Sequence, residues 1–206
     1  MRKLVLATAA ALTLSSAAFA QPIPDPAQSP SGTYGLDKGH ASVTWRVDHL
    51  GLSNYTARFA DIEASLDWNS EDPTASTVSV TIDPMSVRTD YYLAEEKDWD
   101  NVLSTDARWF NAGEHPEISF VSTGATIGEG NTGTVTGDLT LLGVTQPITL
   151  DVTFNGGLLN RFAQKWAMGF SGTTTINRSE FGMGALVPNI GDEVEILIEA
   201  EFIKAD

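Results

Sequence analysis

The sequence predicts an all-β protein of antiparallel strands with a single helical interruption. Apolar and polar residues alternate with a period of two through most of the chain, and Gly and Pro are frequent between these runs. One stretch near the middle of the chain has helical spacing instead. Antiparallel strands with one apolar face each form a sandwich or a barrel, and the periodicity alone leaves both open.

The first twenty residues have the pattern of a secretory signal. Arg2 and Lys3 precede the largely apolar run 4–14, and a series of small residues ends at Ala20. Because a membrane-spanning helix needs roughly 20 apolar residues, this run favours cleavage after Ala20 over an anchor. We therefore expect export, most simply to a bacterial periplasm. The chain has no Cys, so no disulfide is expected there.

The charge balance disfavours several partners. The chain carries 12 Lys and Arg against 27 Asp and Glu, a formal net charge of −15. Binding to phosphates relies on clustered basic residues, so we expect no nucleic-acid partner and at most transient contact with a membrane. The simplest role of the charge is to keep an exported protein soluble.

A single domain accounts for most of the chain after the signal. Residues 21–32 are rich in Pro, lack periodicity and predict a flexible leader, whereas residues 33–206 are long enough for a sizeable core. Alternation predicts half-buried strands throughout this domain. The inward sets are Val43, Trp45 and Val47; Ile62, Ala64, Leu66 and Trp68; Val78, Val80 and Ile82; Ile118 and Phe120; Trp166, Met168 and Phe170; and Val194, Ile196, Ile198, Ala200 and Phe202.

Residues 135–156 are predicted to form a β-hairpin with one solvent-exposed face. Their sequence is VTGDLTLLGVTQPITLDVTFNG. Thr and Asp side chains alternate with two apolar sets along it. These sets are Val135, Leu139 and Leu141, then Ile148, Leu150, Val152 and Phe154. We expect the connection between the two strands at residues 143–147, because that segment contains Gly and Pro.

Residues 91–110 interrupt the strand pattern. Apolar residues recur there at helical spacing, and acidic residues lie near the start. We predict a helix near residues 91–103, with Thr89 or Asp90 as its N-cap, and a further turn of helix near residues 105–110. Such an insertion either covers an open end of a sheet or forms the core helix of an α+β domain, and the sequence allows both.

Four motifs follow one another along the chain. They are YGLDKGHASVTWRVDHLGLS at 34–53, STDARWFNAGEHPEISFVST at 104–123, VTGDLTLLGVTQPITLDVTFNG at 135–156 and GFSGTTTINRSEFGMG at 169–184, and the strand GDEVEILIEAEF follows them. Together they resemble the YceI-like family of periplasmic lipid- and polyisoprenoid-binding proteins, over residues 34–202. The resemblance implies a lipocalin-like extended antiparallel barrel of about eight strands with a helical insertion near residues 91–110. The resemblance to this family is also compatible with a homodimer.

The same resemblance implies a tunnel for a long isoprenoid, a quinone or a comparable acyl chain, held without catalysis. Burying each methylene is favourable by about 0.8 kcal/mol, so reversible binding needs no reactive group. The ligand-binding residues implied are Trp45, Val47, His49, Phe59, Phe120, Leu139, Leu141, Leu150, Val152, Phe154, Trp166, Met168, Phe170 and Thr174. The implied function is storage or transport of a polyprenyl or quinone-type lipid.

Two positions depart from the family pattern. Ala57 stands where the family often has Gly, and Asn111 stands where Asp commonly follows Phe110. The parity of the inward side chains also changes between Phe59 and Ile62, which predicts a β-bulge. These changes bear on the width of the tunnel near Phe59.

Several polar residues have two interpretations each. His49 shares the inward parity of its strand, and it either bonds a ligand head group or caps the core. Arg58, Arg88 and Arg178 either contact a head group or, as is favoured, are solvated surface charges or partners of carboxylates. Thr174 bonds a ligand or a neighbouring backbone group. The scarcity of basic residues favours a neutral head group, such as a quinone or an amide, over a pyrophosphate.

No motif in the sequence indicates catalysis or a metal. The chain lacks GxSxG, HExxH and P-loop patterns, and the Gly-rich GEGNTG is flanked by strand patterns typical of a hairpin turn. His40, His49 and His115 are scattered and predict no metal site. We therefore expect no enzyme and no cofactor besides the bound lipid. The alternatives are a structural or stress-response barrel with a filled core and, less favoured, a periplasmic hydrolase.

Overall fold

Ten strands and one α-helix make up residues 21–206, the part of the chain that the computed structural model describes. The strands are β1 Gly32–His49, β2 Ser53–Phe59, β3 Ile62–Trp68, β4 Thr77–Ile82, β5 Val87–Arg88, β6 Ile118–Ile127, β7 Thr132–Leu141, β8 Val144–Asn160, β9 Lys165–Asn177 and β10 Ile190–Lys204, and the helix is α1 Trp99–Thr105. In this range no helix has the length and apolar character needed to cross a bilayer. The predicted signal segment, residues 1–20, lies outside the described residues.

Eight of the strands close into an antiparallel barrel. Their order is β1, β3, β4, β6, β7, β8, β9 and β10, and β10 pairs again with β1. The first half of β1 pairs with β3, with Gly32 opposite Trp68, and its second half pairs with β2, with His49 opposite Ser53. This confirms the predicted barrel and decides against an open sandwich.

The predicted irregularity between Phe59 and Ile62 is an interruption between two strands. β2 ends at Phe59 and β3 begins at Ile62, so Ala60 and Asp61 separate two strands that share β1 as a neighbour. Phe59 and Ile62 are both buried, at 7% exposure each. The short β5 pairs with β2 at this point, with Val87 opposite Phe59.

The β7–β8 hairpin has the predicted solvent-exposed face, but its turn is shorter than predicted. Leu141 pairs with Val144, so the connection is only Leu142 and Gly143. Their φ angles are 53° and 72°, as a type I′ turn requires at both central positions. The prediction of a connection reaching Pro147 was wrong, since Pro147 lies at an exposed position inside β8.

The helical insertion is confirmed, but α1 is shorter than predicted. Its N-cap is Asp98, whose carboxylate accepts a hydrogen bond from the Asn101 N–H at 3.0 Å. The predicted cap Thr89 instead donates its N–H and its hydroxyl to Asp100, at 2.9 and 2.6 Å. The other predicted cap, Asp90, has a φ of 53°, whereas an N-cap residue normally has an extended backbone. Side-chain bonds of this kind compete with helix formation, so residues 92–96 form turns.

Two apolar clusters mark the two ends of the barrel. The first we call the Trp68 end, and it contains Tyr34, Leu66, Trp68, Phe154, Met168 and Phe202. At the opposite end, which we call the α1 end, Leu103 of α1 packs with Val87 and Phe181. The insertion therefore covers one end of the barrel, which resolves the two arrangements that the sequence allowed.

The segment 21–32, which the sequence predicts to be a flexible leader, contacts the Trp68 end. Ile23 exchanges two backbone hydrogen bonds with Gly157, at 2.8 and 2.9 Å. The carbonyl of Ser29 accepts a hydrogen bond from the Trp68 indole at 3.2 Å. Backbone carbonyls leave no trace in side-chain periodicity, so the sequence could not predict these contacts.

Candidate ligand-binding site

A cavity of about 620 Å³ lies inside the barrel. Side chains from all eight barrel strands line it, together with side chains from the insertion around α1. Because a molecule of liquid water occupies ~30 Å³, the cavity has room for roughly twenty non-hydrogen atoms. It falls within the size range of small-molecule sites in proteins, about 300–1,000 Å³.

Many wall residues point inward but are only partly buried. They include Val43, Val80, Val135, Ile148, Leu150 and Ile196. In a filled core such side chains would be fully buried, because protein interiors pack at nearly crystalline density. Their remaining exposure therefore faces the cavity, and the wall presents unpartnered aliphatic surface to whatever enters it.

Among the described residues, five of the six titratable side chains of the cavity wall lie at the α1 end. The titratable side chains there are His49, Tyr55, Tyr91, Lys97 and Arg178. Towards the Trp68 end, Leu66, Trp68 and Phe202 lie at the limit of the wall. The wall of this half also includes the polar residues Ser42, Ser76, Thr77, Ser122 and Glu199.

Trp45 and Tyr55 form an aromatic wall next to the insertion. Their ring centroids are 6.3 Å apart, and Phe110 meets Trp45 edge-on at 6.1 Å. The Trp45 indole N–H and the Tyr55 hydroxyl are buried, yet neither has a hydrogen-bond partner within residues 21–206. Burial raises the pKa of the Tyr55 hydroxyl, so the group is a neutral donor at ordinary pH.

Arg178 is a buried charge at the same end, with only 3% of its surface exposed. Its guanidinium donates to four backbone carbonyls: Nε to Gly191 at 2.8 Å, Nη1 to Met183 at 2.6 Å, and Nη2 to Ala185 and Ile190 at 2.9 Å each. It is buried and forms no ion pair with any carboxylate in the described range, so the two favoured alternatives, a solvated surface charge or a partner of a carboxylate, were both wrong for Arg178. Burial lowers the pKa of the guanidinium, which still remains charged. Arg178 thus holds the segment that carries Met183 and Ile190 into the cavity wall.

Eleven of the fourteen predicted ligand-binding residues line the cavity. They are Trp45, Val47, His49, Phe59, Phe120, Leu139, Leu141, Leu150, Val152, Phe170 and Thr174. The other three, Phe154, Trp166 and Met168, lie outside the cavity wall, in or against the packed cluster at the Trp68 end. Their side chains lie on the predicted inner face of their strands. The alternation of side chains, however, does not indicate how far along the barrel axis a residue lies.

The remaining polar candidates take different places. Thr174 donates its hydroxyl to the Thr149 carbonyl at 2.8 Å, which is the backbone alternative. His49 lies at the rim, exposed yet part of the wall. Arg58 and Arg88 are exposed and lie outside the wall.

Sequence reasoning missed the wall residues outside the regular strands. Tyr91, Lys97, Trp109 and Leu186 line the cavity from segments without period-two alternation. Only their tertiary placement reveals them. Tyr55 is different, because it shares the parity of Ala57 and Phe59, and extending that alternation would have found it.

Asp37, His40 and Glu201 meet on the barrel exterior, although the sequence indicated no such cluster. Their ligand-type atoms all lie within 4.8 Å of one another. A register shift in β1 between Leu36 and Ala41 places them together, and Glu201 is remote in sequence. The hydrogen bond between His40 Nδ1 and Asp37, at 3.0 Å, raises the pKa of His40 and lowers the pKa of Asp37. The cluster stands apart from the cavity.

Comparison with known proteins identifies the family. The YceI-like domain matches residues 34–202. A UPF0312 protein of Pseudomonas putida strain W619 is 36% identical over 178 residues, which cover 85% of this chain and 86% of the relative. The chain belongs to the YceI-like family. A second UPF0312 relative of this YceI-like protein, from Pseudomonas paraeruginosa, is 34% identical over 202 residues and covers 96% of this chain and 97% of its own.

Solved structures show the same YceI-like barrel. The Campylobacter jejuni YceI protein superposes with a TM-score of 0.67 at 27% identity, covering 77% of this chain and 90% of that chain. Burkholderia cenocepacia BcnA gives 0.69 at 23% identity, with 81% and 98% coverage. A polyisoprenoid binding domain from Saccharophagus degradans gives 0.59 at 15% identity, with 84% and 98% coverage. The last two share the fold with this chain.

Proposed function

We propose that this YceI-like protein reversibly binds a long-chain isoprenoid or similar amphiphilic lipid in the barrel cavity, to store or carry it in the periplasm without covalent catalysis. The observation that carries the proposal is the apolar cavity of about 620 Å³, whose wall side chains keep exposed surface towards it. The polyisoprenoid binding described for the Saccharophagus neighbour supports the choice of lipid. The signal-like pattern of residues 1–20 supports export.

The cavity is large enough for useful affinity. Burial of about fifteen methylenes is favourable by about 12 kcal/mol. Loss of translational and rotational freedom offsets about 4 kcal/mol or more of this gain. At most about 8 kcal/mol would remain, which corresponds to a micromolar dissociation constant at best. A chain much longer than roughly twenty heavy atoms would extend beyond the cavity.

The two alternative functions are less well supported. A structural barrel with a filled core requires a packed interior, whereas the wall here is only partly buried. A hydrolase requires a nucleophile next to a base, and Thr174, a hydroxyl of the wall, donates to a backbone carbonyl instead. Reversible burial of a chain therefore remains the function that the geometry favours.

Thermal denaturation of delipidated protein tests the proposal. Residues 21–206 would be extracted with solvent, refolded and titrated with quinones that carry isoprenoid chains of increasing length. A ligand at about 100 times its dissociation constant adds about 2.7 kcal/mol to stability, which shifts the midpoint by several degrees. We expect the shift to grow with chain length until the cavity is full. A midpoint indifferent to all of these lipids would contradict the proposal.

A variant that fills the cavity is the matched control. Leu150 lines the middle of the wall on β8 and is only partly buried. Replacing it by Trp places a larger apolar side chain in space that a ligand would use, with little strain in the empty protein. Leu150→Trp should therefore fold normally and lose most of the lipid-induced shift. Equal shifts in wild type and variant would place the lipid outside the cavity.

A further inference from the structure

Three side chains that can bind a metal ion meet on the outside of the barrel. They are Asp37 and His40 of β1 and Glu201 of β10, and their ligand-type atoms all lie within 4.8 Å of one another. None of the three lines the barrel cavity. The sequence indicated no metal site because Glu201 is remote from the other two residues and no local spacing connects them.

An irregularity in the pairing of β1 with β10 brings the three residues together. Between Leu36 and Ala41, which both pair regularly, the four residues 37–40 of β1 face the single residue Glu201. Extra residues of this kind re-aim side chains and are over-represented next to functional sites. Regular pairing would bring only one of the two β1 side chains next to Glu201.

The distances between the ligand atoms suit a small metal ion. His40 Nδ1 lies 3.0 Å from Asp37 Oδ2 and 3.9 Å from Glu201 Oε2. Zinc binds nitrogen and carboxylate oxygen at about 2.0–2.2 Å, so a tetrahedral site separates its ligand atoms by about 3.3–3.6 Å. The side chains of His40 and Glu201 are 65% and 47% exposed, so small rotations reach this spacing without disturbing the core.

The charge of the cluster favours a divalent cation. Within residues 21–206, no Lys or Arg side chain forms an ion pair with Asp37 or Glu201. Lys38, the basic residue next to Asp37, pairs with two other carboxylates. The two carboxylates and a neutral His40 imidazole carry two negative charges, which one divalent ion balances. The formal net charge of −15 also raises the local concentration of cations.

The ligand types and an adjoining cavity indicate which kind of metal fits. An imidazole with two carboxylates suits zinc and other divalent transition metals. Calcium and magnesium prefer oxygen ligands, usually six or more. Three protein ligands leave a coordination position open. A surface cavity of about 290 Å³, lined by His40, Glu201 and Asn155 among others, has room for water or a small ligand at that position.

We propose that Asp37 Oδ2, His40 Nδ1 and Glu201 Oε2 bind one divalent transition-metal ion, zinc in the first instance, with an open coordination position towards the surface cavity. The ion bridges β1 and β10, the two strands whose pairing closes the barrel. Because a ligand of the folded state adds to its stability, the metal should stabilise the closed barrel. This inference is independent of lipid binding, since the three ligands lie outside the cavity wall.

Zinc titration of metal-free protein tests the inference. Residues 21–206 would be treated with EDTA, dialysed and titrated with zinc chloride in a calorimeter. The buffer would contain about 0.15 M NaCl, which screens the diffuse attraction of the acidic surface. We expect one zinc ion per chain and no comparable binding of magnesium or calcium. At about a hundredfold excess of zinc over its dissociation constant, the thermal midpoint should rise by several degrees.

Two variants remove one ligand each. His40→Gln and Glu201→Gln should weaken zinc binding by at least about tenfold, the loss that even outer-shell partners of a metal cause, and should lose the shift of the midpoint. Both replacements are at exposed side chains and should fold normally. The controls are His115→Gln, which removes a different imidazole, and Glu193→Gln, which removes an exposed carboxylate from the same strand β10. Both should bind zinc as the wild type does.

NMR of the imidazole nitrogens gives a second readout. The chain has three His, and only the Nδ1 resonance of His40 should shift when one equivalent of zinc is added. Wild type without a stoichiometric zinc ion would overturn the inference. Equal zinc affinity in wild type, His40→Gln and Glu201→Gln, or a shift confined to a different His, would overturn it as well, because zinc would then be held elsewhere on the acidic surface.

Discussion

Arg178 is the residue whose loss should most damage the α1 end. Arg178→Met removes four hydrogen bonds to backbone carbonyls, all between 2.6 and 2.9 Å. Bonds to a charged donor contribute about 1.5–3 kcal/mol each. The segment 183–191 also has a solvent-facing side and regains hydration, so the sum is an upper bound. We expect a loss of about 3–5 kcal/mol, the usual cost of breaking a buried charged network.

Urea unfolding and hydrogen exchange measure this effect. The free energy of unfolding should fall by a large part of the ~5–15 kcal/mol typical of a domain, and the amides of residues 183–191 should exchange faster. The control is Arg108→Met, since Arg108 is exposed and, within residues 21–206, forms an ion pair with Asp106 alone. Arg108→Met should change the free energy of unfolding by close to zero. A stability within about 1 kcal/mol of wild type for Arg178→Met, with unchanged exchange, would refute the reasoning.

Two further predictions concern packing and pH. In empty protein Met168→Ala should cost about 2–5 kcal/mol, because Met168 is 1% exposed, whereas Leu150→Ala should cost less because Leu150 faces the cavity. Urea unfolding measures the loss of stability in both variants. Equal losses would contradict the interpretation that Leu150 faces a cavity. His40 has a raised pKa from Asp37, so its stabilisation is present below its unfolded value of 6.5 and is lost as the pH rises through the higher native value. The difference in unfolding free energy between wild type and His40→Gln should therefore shrink with rising pH. A difference that stays constant with pH would contradict this role of His40.

The barrel strands could be predicted because their geometry repeats in the sequence. Successive side chains of a strand point to opposite faces. The alternation of apolar and polar residues is therefore enough to predict that Trp45 and Val47 lie on the inner face. The same rule placed Met168 on the inner face but could not say that it lies in the packed end, outside the cavity wall. Depth depends on the register between strands, which no local pattern contains.

Other features depend on partners that are remote in sequence or belong to the backbone. Arg178 was expected to contact a head group, to be a surface charge or to pair with a carboxylate. Its partners are backbone carbonyls, which every residue carries and no sequence pattern marks. Glu201 reaches His40 only because β10 pairs with β1. The turn at Leu142 adopts a positive φ that Leu rarely takes, and the following Gly143 was the only local sign of it.

The most direct test of the central claim is native mass spectrometry of residues 21–206, purified without detergent from the cells that make the protein, followed by solvent extraction of whatever is released. The account predicts one lipid per chain, with an apolar tail of roughly twenty heavy atoms inside the cavity. A mass equal to the bare polypeptide, together with a melting temperature that no isoprenoid or quinone raises, would contradict it.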